Sequence, residues 1–248
     1  MRPERRDKLA AEVRAALEAL IPGSSTVLRG SLAAQTADSY SDIDLCWVVA
    51  DGNFTAAVSA AEGLAAKLPS VLSVRVDPGL ARSDRRRLVF VRLARVPLFW
   101  RVDLDIRARS VAADDSYDDG SPLARDATGW SPPASAIENA VAAVKSGVRD
   151  RADVTSGLLS RGYERIGLAP RPDAGLTELI AVLAESCARL EPGLAAMAGE
   201  VREVAEALLA SPESPALFAS CAAEPSPGKR RSYVRKSSHR HGLRARRH

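Results

Sequence analysis

The chain has 248 residues, of which 46% are hydrophobic and 27% charged, enough for a sizeable core and too apolar for a disordered protein. Its three cysteines, Cys46, Cys187 and Cys221, are scattered and odd in number, which argues against a disulfide framework and a cysteine zinc site and favours a reduced, cytoplasmic compartment. The net charge of +4 hides an acidic body: Lys229 to His248 holds nine Lys/Arg and no acid, and without it 26 basic residues face 31 acidic ones, a net of −5.

Leu9, Val13, Leu17 and Leu20 recur at helical spacing and predict an amphipathic helix over 4–20, too charged for a signal peptide or a membrane span. Ile21-Pro22-Gly23 stops it. Two short β-branched runs, Thr26 to Arg29 and Ile43 to Val49, read as a pair of strands. After a turn at Asp51-Gly52-Asn53, the stripe Phe54, Val58, Ala61, Leu64, Ala65 and Leu68 predicts a second helix. Val71 to Val76 and Leu88 to Ala94 are strands on either side of a charged turn, Arg82 to Arg87. Pro97 to Ile106 (PLFWRVDLDI) reads as a further strand. Residues 1–108 thus form one domain of four or five strands with a helix on one face.

Residues 109–133 are acidic, contain Gly and Pro, and have no period; they read as a solvated linker. Their aspartates lack the distal Glu of a calcium loop. From Pro133 the period is 3.6, with Ser135 a candidate cap, and four helices over 134–210 predict a bundle. The tail, 211–248, is rich in Ser, Pro, Arg and His and reads as a disordered basic segment, open to phosphate contacts with a nucleic acid. The fold class is therefore α+β with a C-terminal helical bundle.

The chemistry concentrates between Val27 and Val49. Alternation along a strand puts Asp42 and Asp44 on one face. Two carboxylates side by side repel, and a divalent cation such as Mg²⁺ relieves the repulsion. Gly30 permits a tight turn, and the Ser31 hydroxyl with nearby backbone N–H groups can hold phosphate oxygens.

Gly-Ser, a gap of ten residues, then Asp-x-Asp between apolar residues resembles the signature of the nucleotidyltransferase superfamily related to DNA polymerase beta. The spacing is similar to that of the antibiotic nucleotidyltransferases, including the streptomycin/spectinomycin adenylyltransferases. The resemblance covers residues 20–110 and implies a small mixed sheet with flanking helices. It also implies a third carboxylate on a later strand, and Arg101-Val102-Asp103-Leu104 fits that pattern, with Asp105 as understudy.

The activity implied is transfer of a nucleoside monophosphate from an NTP, ATP foremost, to a hydroxyl, releasing pyrophosphate. Asp42, Asp44 and Asp103 would hold two Mg²⁺ ions. Asp103, directly or through Asp105, would take the hydroxyl proton. Gly30 and Ser31 would hold the β/γ-phosphates. Residues 32–37 (LAAQTA) lack a basic residue, so the remaining phosphate charge falls to Lys145, Arg29 or Arg101. An acidic body suits a small cationic acceptor such as an aminoglycoside antibiotic. A tRNA end or a partner protein is the alternative acceptor, and a non-catalytic nucleotide- or partner-binding scaffold the alternative class. The resemblance also allows a homodimer that shares its sites.

Overall fold

The structure is a computed structural model that describes residues 3–67 and 70–209. Its fold is α+β. Five strands, β1 (Ser25–Leu28), β2 (Ile43–Val49), β3 (Val71–Val76), β4 (Arg86–Leu93) and β5 (Val102–Ala108), form one sheet in the order β1-β2-β5-β4-β3. The β2–β5 pair is parallel and the others antiparallel. Alternation decides what each face does. Ile43, Leu45, Trp47 and Val49 of β2 and Val102, Leu104 and Ile106 of β5 are buried on one face. Against that face pack α1 (Pro3–Leu20) through Ala10 and Leu17, and α3 (Phe54–Glu62) through Phe54, Ala57, Val58 and Ala61. The opposite face presents Asp44 from β2 and Asp103 and Asp105 from β5.

A second core belongs to four helices: α5 (Pro132–Val148), α6 (Ala152–Arg165), α7 (Leu176–Leu190) and α8 (Ala195–Leu209). Its centre includes Ile137, Val144, Leu159, Leu179, Ile180 and Leu183. Leu98, Phe99 and Trp100, expected at the start of a strand, instead form a turn whose side chains are buried in this helical core. An apolar run of that length satisfies the pattern of a strand and of a plug equally well.

Gly30–Ala33 is a single helical turn, α2. Two other expectations are corrected. The second helix is broken by Gly63 into α3 and α4 (Leu64–Lys67). The α5 cap is Ser131, which accepts from the Ala134 N–H, while Ser135 is buried one turn in.

Residues 109–133 are not a free linker. The Val76 N–H donates to the Thr128 carbonyl and the Ala124 N–H to the Pro78 carbonyl, both at 2.8 Å. The segment thereby covers the outer edge of β3, which would otherwise expose unpaired backbone groups. Gly129, at φ +64°, makes this possible: a Cβ there would lie 2.1 Å from the Val74 carbonyl oxygen.

No described helix is long and apolar enough to cross a membrane. Cys46 and Cys187 are buried free thiols. Cys221, the basic tail and its histidines lie outside the described residues.

Candidate active site

The strand register brings the sequence-predicted carboxylates together. Asp44 is the registered neighbour of Asp103 across the parallel β2–β5 pair, and Asp42 stands two residues before Asp44 at the entry to β2. The Gly30 turn closes over them. Gly30 has φ +57°, and a Cβ there would lie 2.1 Å from Asp44 Oδ2, so only glycine lets the turn approach this carboxylate. Ser31 follows at the lip of a polar cavity of about 520 Å³, which Asp42, Asp44, Thr36, Arg149 and Arg151 also line. A second cavity, of about 370 Å³, lies on the other side of Asp44 and is lined by Gly30, Asp103, Asp105, Arg29, Arg107 and Asp115. Asp44 is common to both. A third cavity, on the apolar face beneath α1, has Glu12 as its single charged lining residue and no comparable chemistry.

Helix α5 brings the counter-charges. Lys145 Nζ donates to Asp42 Oδ1 at 2.5 Å. Burial pulls the Lys145 ammonium below its usual pKa, and the Asp42 carboxylate opposes that shift. Glu138, two turns earlier, accepts from both Arg92 (2.8 Å, two bonds) and Arg101 Nη1 (2.7 Å). Burial pushes Glu138 up, but Arg92 and Arg101 outweigh it and hold the carboxyl down at about 2. Arg101 in turn holds both oxygens of Asp103, at 2.6 and 2.7 Å. Burial disfavours the Arg101 charge, yet Asp103 and Glu138 outweigh it and raise its pKa. A relay thus runs from the bundle through Glu138 and Arg101 to Asp103.

Asp44 differs from its neighbours. Asp42 has Lys145 and Asp103 has Arg101, whereas the Asp44 carboxylate has no hydrogen-bond or ion-pair partner among the described residues. Burial, then the charges of Asp103 and Asp42, push its pKa up to about 6. Among the described residues no group of three or more His, Cys, Asp or Glu is assembled as a metal cage. The donor chemistry nonetheless fits a hard divalent ion: carboxylate oxygens on one face, with one carboxylate lacking a cation. Lys145 and Arg101 neutralise the other two in this state.

Asp105 lines the same second cavity as Asp44 and Asp103, but arginines engage it. It accepts from Arg86 (3.1 Å, two bonds) and Arg107 (2.7 and 2.9 Å), one step along β5 from the Asp44–Asp103 pair. Arg29 reaches Asp115 rather than the carboxylate pair. Of the sequence-derived residues, Asp42, Asp44, Asp103, Gly30, Ser31 and Lys145 therefore meet, and Asp105 is bound up in an arginine pair beside them. Sequence reasoning missed Glu138, Arg149 and Arg151. A signal existed for two of them: positions 138, 145 and 149 stand seven and four apart, which is one face of a helix. Arg149 completes that face by donating to both carboxylate oxygens of Asp38, at 2.7 and 2.8 Å.

No protein-family model matches the sequence, and no curated protein matches it.

Proposed function

We propose that the chain is a Mg²⁺-dependent nucleotidyltransferase, moving a nucleoside monophosphate from an NTP such as ATP to a hydroxyl of a small-molecule acceptor. The supporting observation is the registered Asp44–Asp103 neighbour pair, with Asp42 beside it and a glycine-serine turn pressed against Asp44. When bound, Mg²⁺ on Asp42, Asp44 and Asp103 would neutralise charge at the transferred phosphoryl group and lower the pKa of the acceptor hydroxyl.

The protein groups divide the remaining work. Ser31 lines the larger polar cavity and holds β/γ-phosphate oxygens. Arg149, Arg151 and Lys145 supply the positive charge that residues 32–37 lack. Asp103 stands in the second cavity and takes the acceptor proton. Arg101, held by Glu138, orients Asp103 and opposes the burial that raises the pKa of this carboxyl. Asp105, already bonded to two guanidinium groups, shapes the wall beside them.

The two-point hold of Arg101 on Asp103 favours one second reading, a nucleotide-binding scaffold without turnover. Labelled ATP and GTP, offered with and without Mg²⁺ to a panel of small alcohols, separate the two. Mg²⁺-dependent pyrophosphate release that Asp44→Asn abolishes supports transfer. Mg²⁺-dependent NTP binding with no release on any acceptor supports the scaffold.

A further inference from the structure

We infer that the acceptor subsite takes an anionic small molecule, a hydroxyl compound bearing a phosphate ester, whose phosphate replaces the Asp115 carboxylate between Arg29 and Arg107. The acceptor role rests on the nucleotidyl-transfer reading; the anion rests on the geometry of the cavity.

The cavity beside Asp44 and Asp103 is lined at one end by Arg29 and Arg107, with Asp105 and Asp115, and at the other by Asp44 and Asp103. At the arginine end, Arg29, Arg86 and Arg107 bring three positive charges against two carboxylates, Asp105 and Asp115. The two carboxylates are not equivalent. Asp105 is part of β5 and is bonded to Arg86 and Arg107. Asp115 comes from the segment after the sheet, and its side chain is 69% exposed, whereas that of Arg107 is 4% exposed. A buried guanidinium requires an anion; an exposed carboxylate is well solvated without a guanidinium.

Asp115 therefore occupies a position that another anion can take. Its oxygens accept from Arg29 at 3.0 and 3.3 Å and from Arg107 at 2.9 Å. Two guanidinium groups converging on one pair of oxygens suit a phosphate as well as a carboxylate. The segment has separate anchors: Arg107 also donates to the Ala112 and Asp114 carbonyls, and Arg86 to the Asp115 and Tyr117 carbonyls. The Asp115 side chain can thus leave without the segment leaving. Once it does, Arg29, Arg86 and Arg107 face Asp105 as the one carboxylate left at this end, with Asp44 and Asp103 at the other end of the cavity. A volume of about 370 Å³ suits a small molecule. This departs from the cationic acceptor that the net charge of the body suggests, because Arg29 and Arg107 converge at one end of the cavity.

The test is calorimetric titration of glycerol 3-phosphate into the full chain, with no nucleotide or metal. Both substituted side chains are well exposed, and thermal melts check each variant's fold. Asp115→Asn should bind about tenfold more tightly than the native chain, by removing the competing anion, and Arg29→Gln about tenfold more weakly. Asp173→Asn, the same charge change at an exposed site in the bundle, should match the native chain. Equal tightening by Asp173→Asn, an unchanged Arg29→Gln, or no binding by Asp115→Asn at millimolar ligand would overturn the inference. So would a short RNA that binds through Arg29 where glycerol 3-phosphate does not, which would indicate a polynucleotide end. Transfer to a cationic amino alcohol, unaffected by Asp115→Asn, would sink the inference and leave nucleotidyl transfer standing. Anion binding as expected, with no pyrophosphate release on any acceptor, would instead remove the transfer reading and the acceptor role with it.

Discussion

Asp44 is the residue on which the site turns, because among the described residues it is the one of the three carboxylates without a cation partner. A carboxyl whose pKa is about 6 in the folded chain and 3.8 when unfolded binds its proton more firmly when folded. The stability this confers is complete below pH 3.8 and is lost as pH rises through about 6. In EDTA at pH 7.5, Asp44→Asn should therefore be more stable than the native chain, by about 1 kcal/mol once solvent screening of this half-buried group is counted, and melt higher. At pH 4 the two should melt together. Mg²⁺ should raise the native melting temperature at pH 7.5, where Asp44 is ionised, and have little effect at pH 4.5; no response to Mg²⁺ at pH 7.5 would contradict the metal assignment. Activity should run the other way from stability. Asp42→Asn, Asp44→Asn and Asp103→Asn should each lower transfer by about 10²–10⁴-fold with the fold retained by circular dichroism. Asp105→Asn should cost much less, and an equal loss there would move the proton-accepting role from Asp103 to Asp105.

Helix α5 is the element that turns a carboxylate face into a site, since Glu138 and Lys145 both come from it. Its existence was legible, because Ile137, Val141, Val144 and Val148 mark the period plainly. Its role was only half legible. Lys145 stood out as a basic residue next to an apolar stripe, whereas Glu138 looked like any exposed helical acid. What distinguishes Glu138 is its partners, Arg92 and Arg101, which lie 46 and 37 residues away, beyond any local pattern. The same reason explains Leu98, Phe99 and Trp100: the surface they fill belongs to helices that begin thirty residues later. By contrast, the bounds of β2 and β3 were read correctly, because a β-branched run between turn formers is a local signal. Glu138→Gln should leave Arg92 without its carboxylate and Arg101 with Asp103 alone, and cost about 3 kcal/mol by chemical denaturation. It should also lower kcat through Arg101 and Asp103 while leaving nucleotide KM nearly unchanged, and a KM effect alone would cut Glu138 out of the relay.

The whole molecule has two cores, but the contacts between them are too strong for independent behaviour. Separating sheet from bundle would expose Leu98, Phe99 and Trp100, whose burial is worth roughly 2 kcal/mol each. It would also break the buried Arg92–Glu138 and Arg101–Glu138 pairs and the Asp42–Lys145 pair. The combined loss is comparable with the total stability of a typical domain, about 5–15 kcal/mol, so neither half should survive the departure of the other. With the third tryptophan, Trp130, replaced by Phe throughout, two tryptophans make this measurable: Trp47 is fully buried in the sheet core and Trp100 nearly so in the bundle core. In Trp47→Phe the fluorescence follows chiefly the bundle side, and in Trp100→Phe chiefly the sheet side. Within each variant, the urea midpoint by fluorescence should coincide with that by far-ultraviolet circular dichroism, in one transition. Midpoints that separate would mean that the halves unfold alone, and that the bundle's Lys145 and Glu138 are held against the aspartates more loosely than transfer chemistry requires.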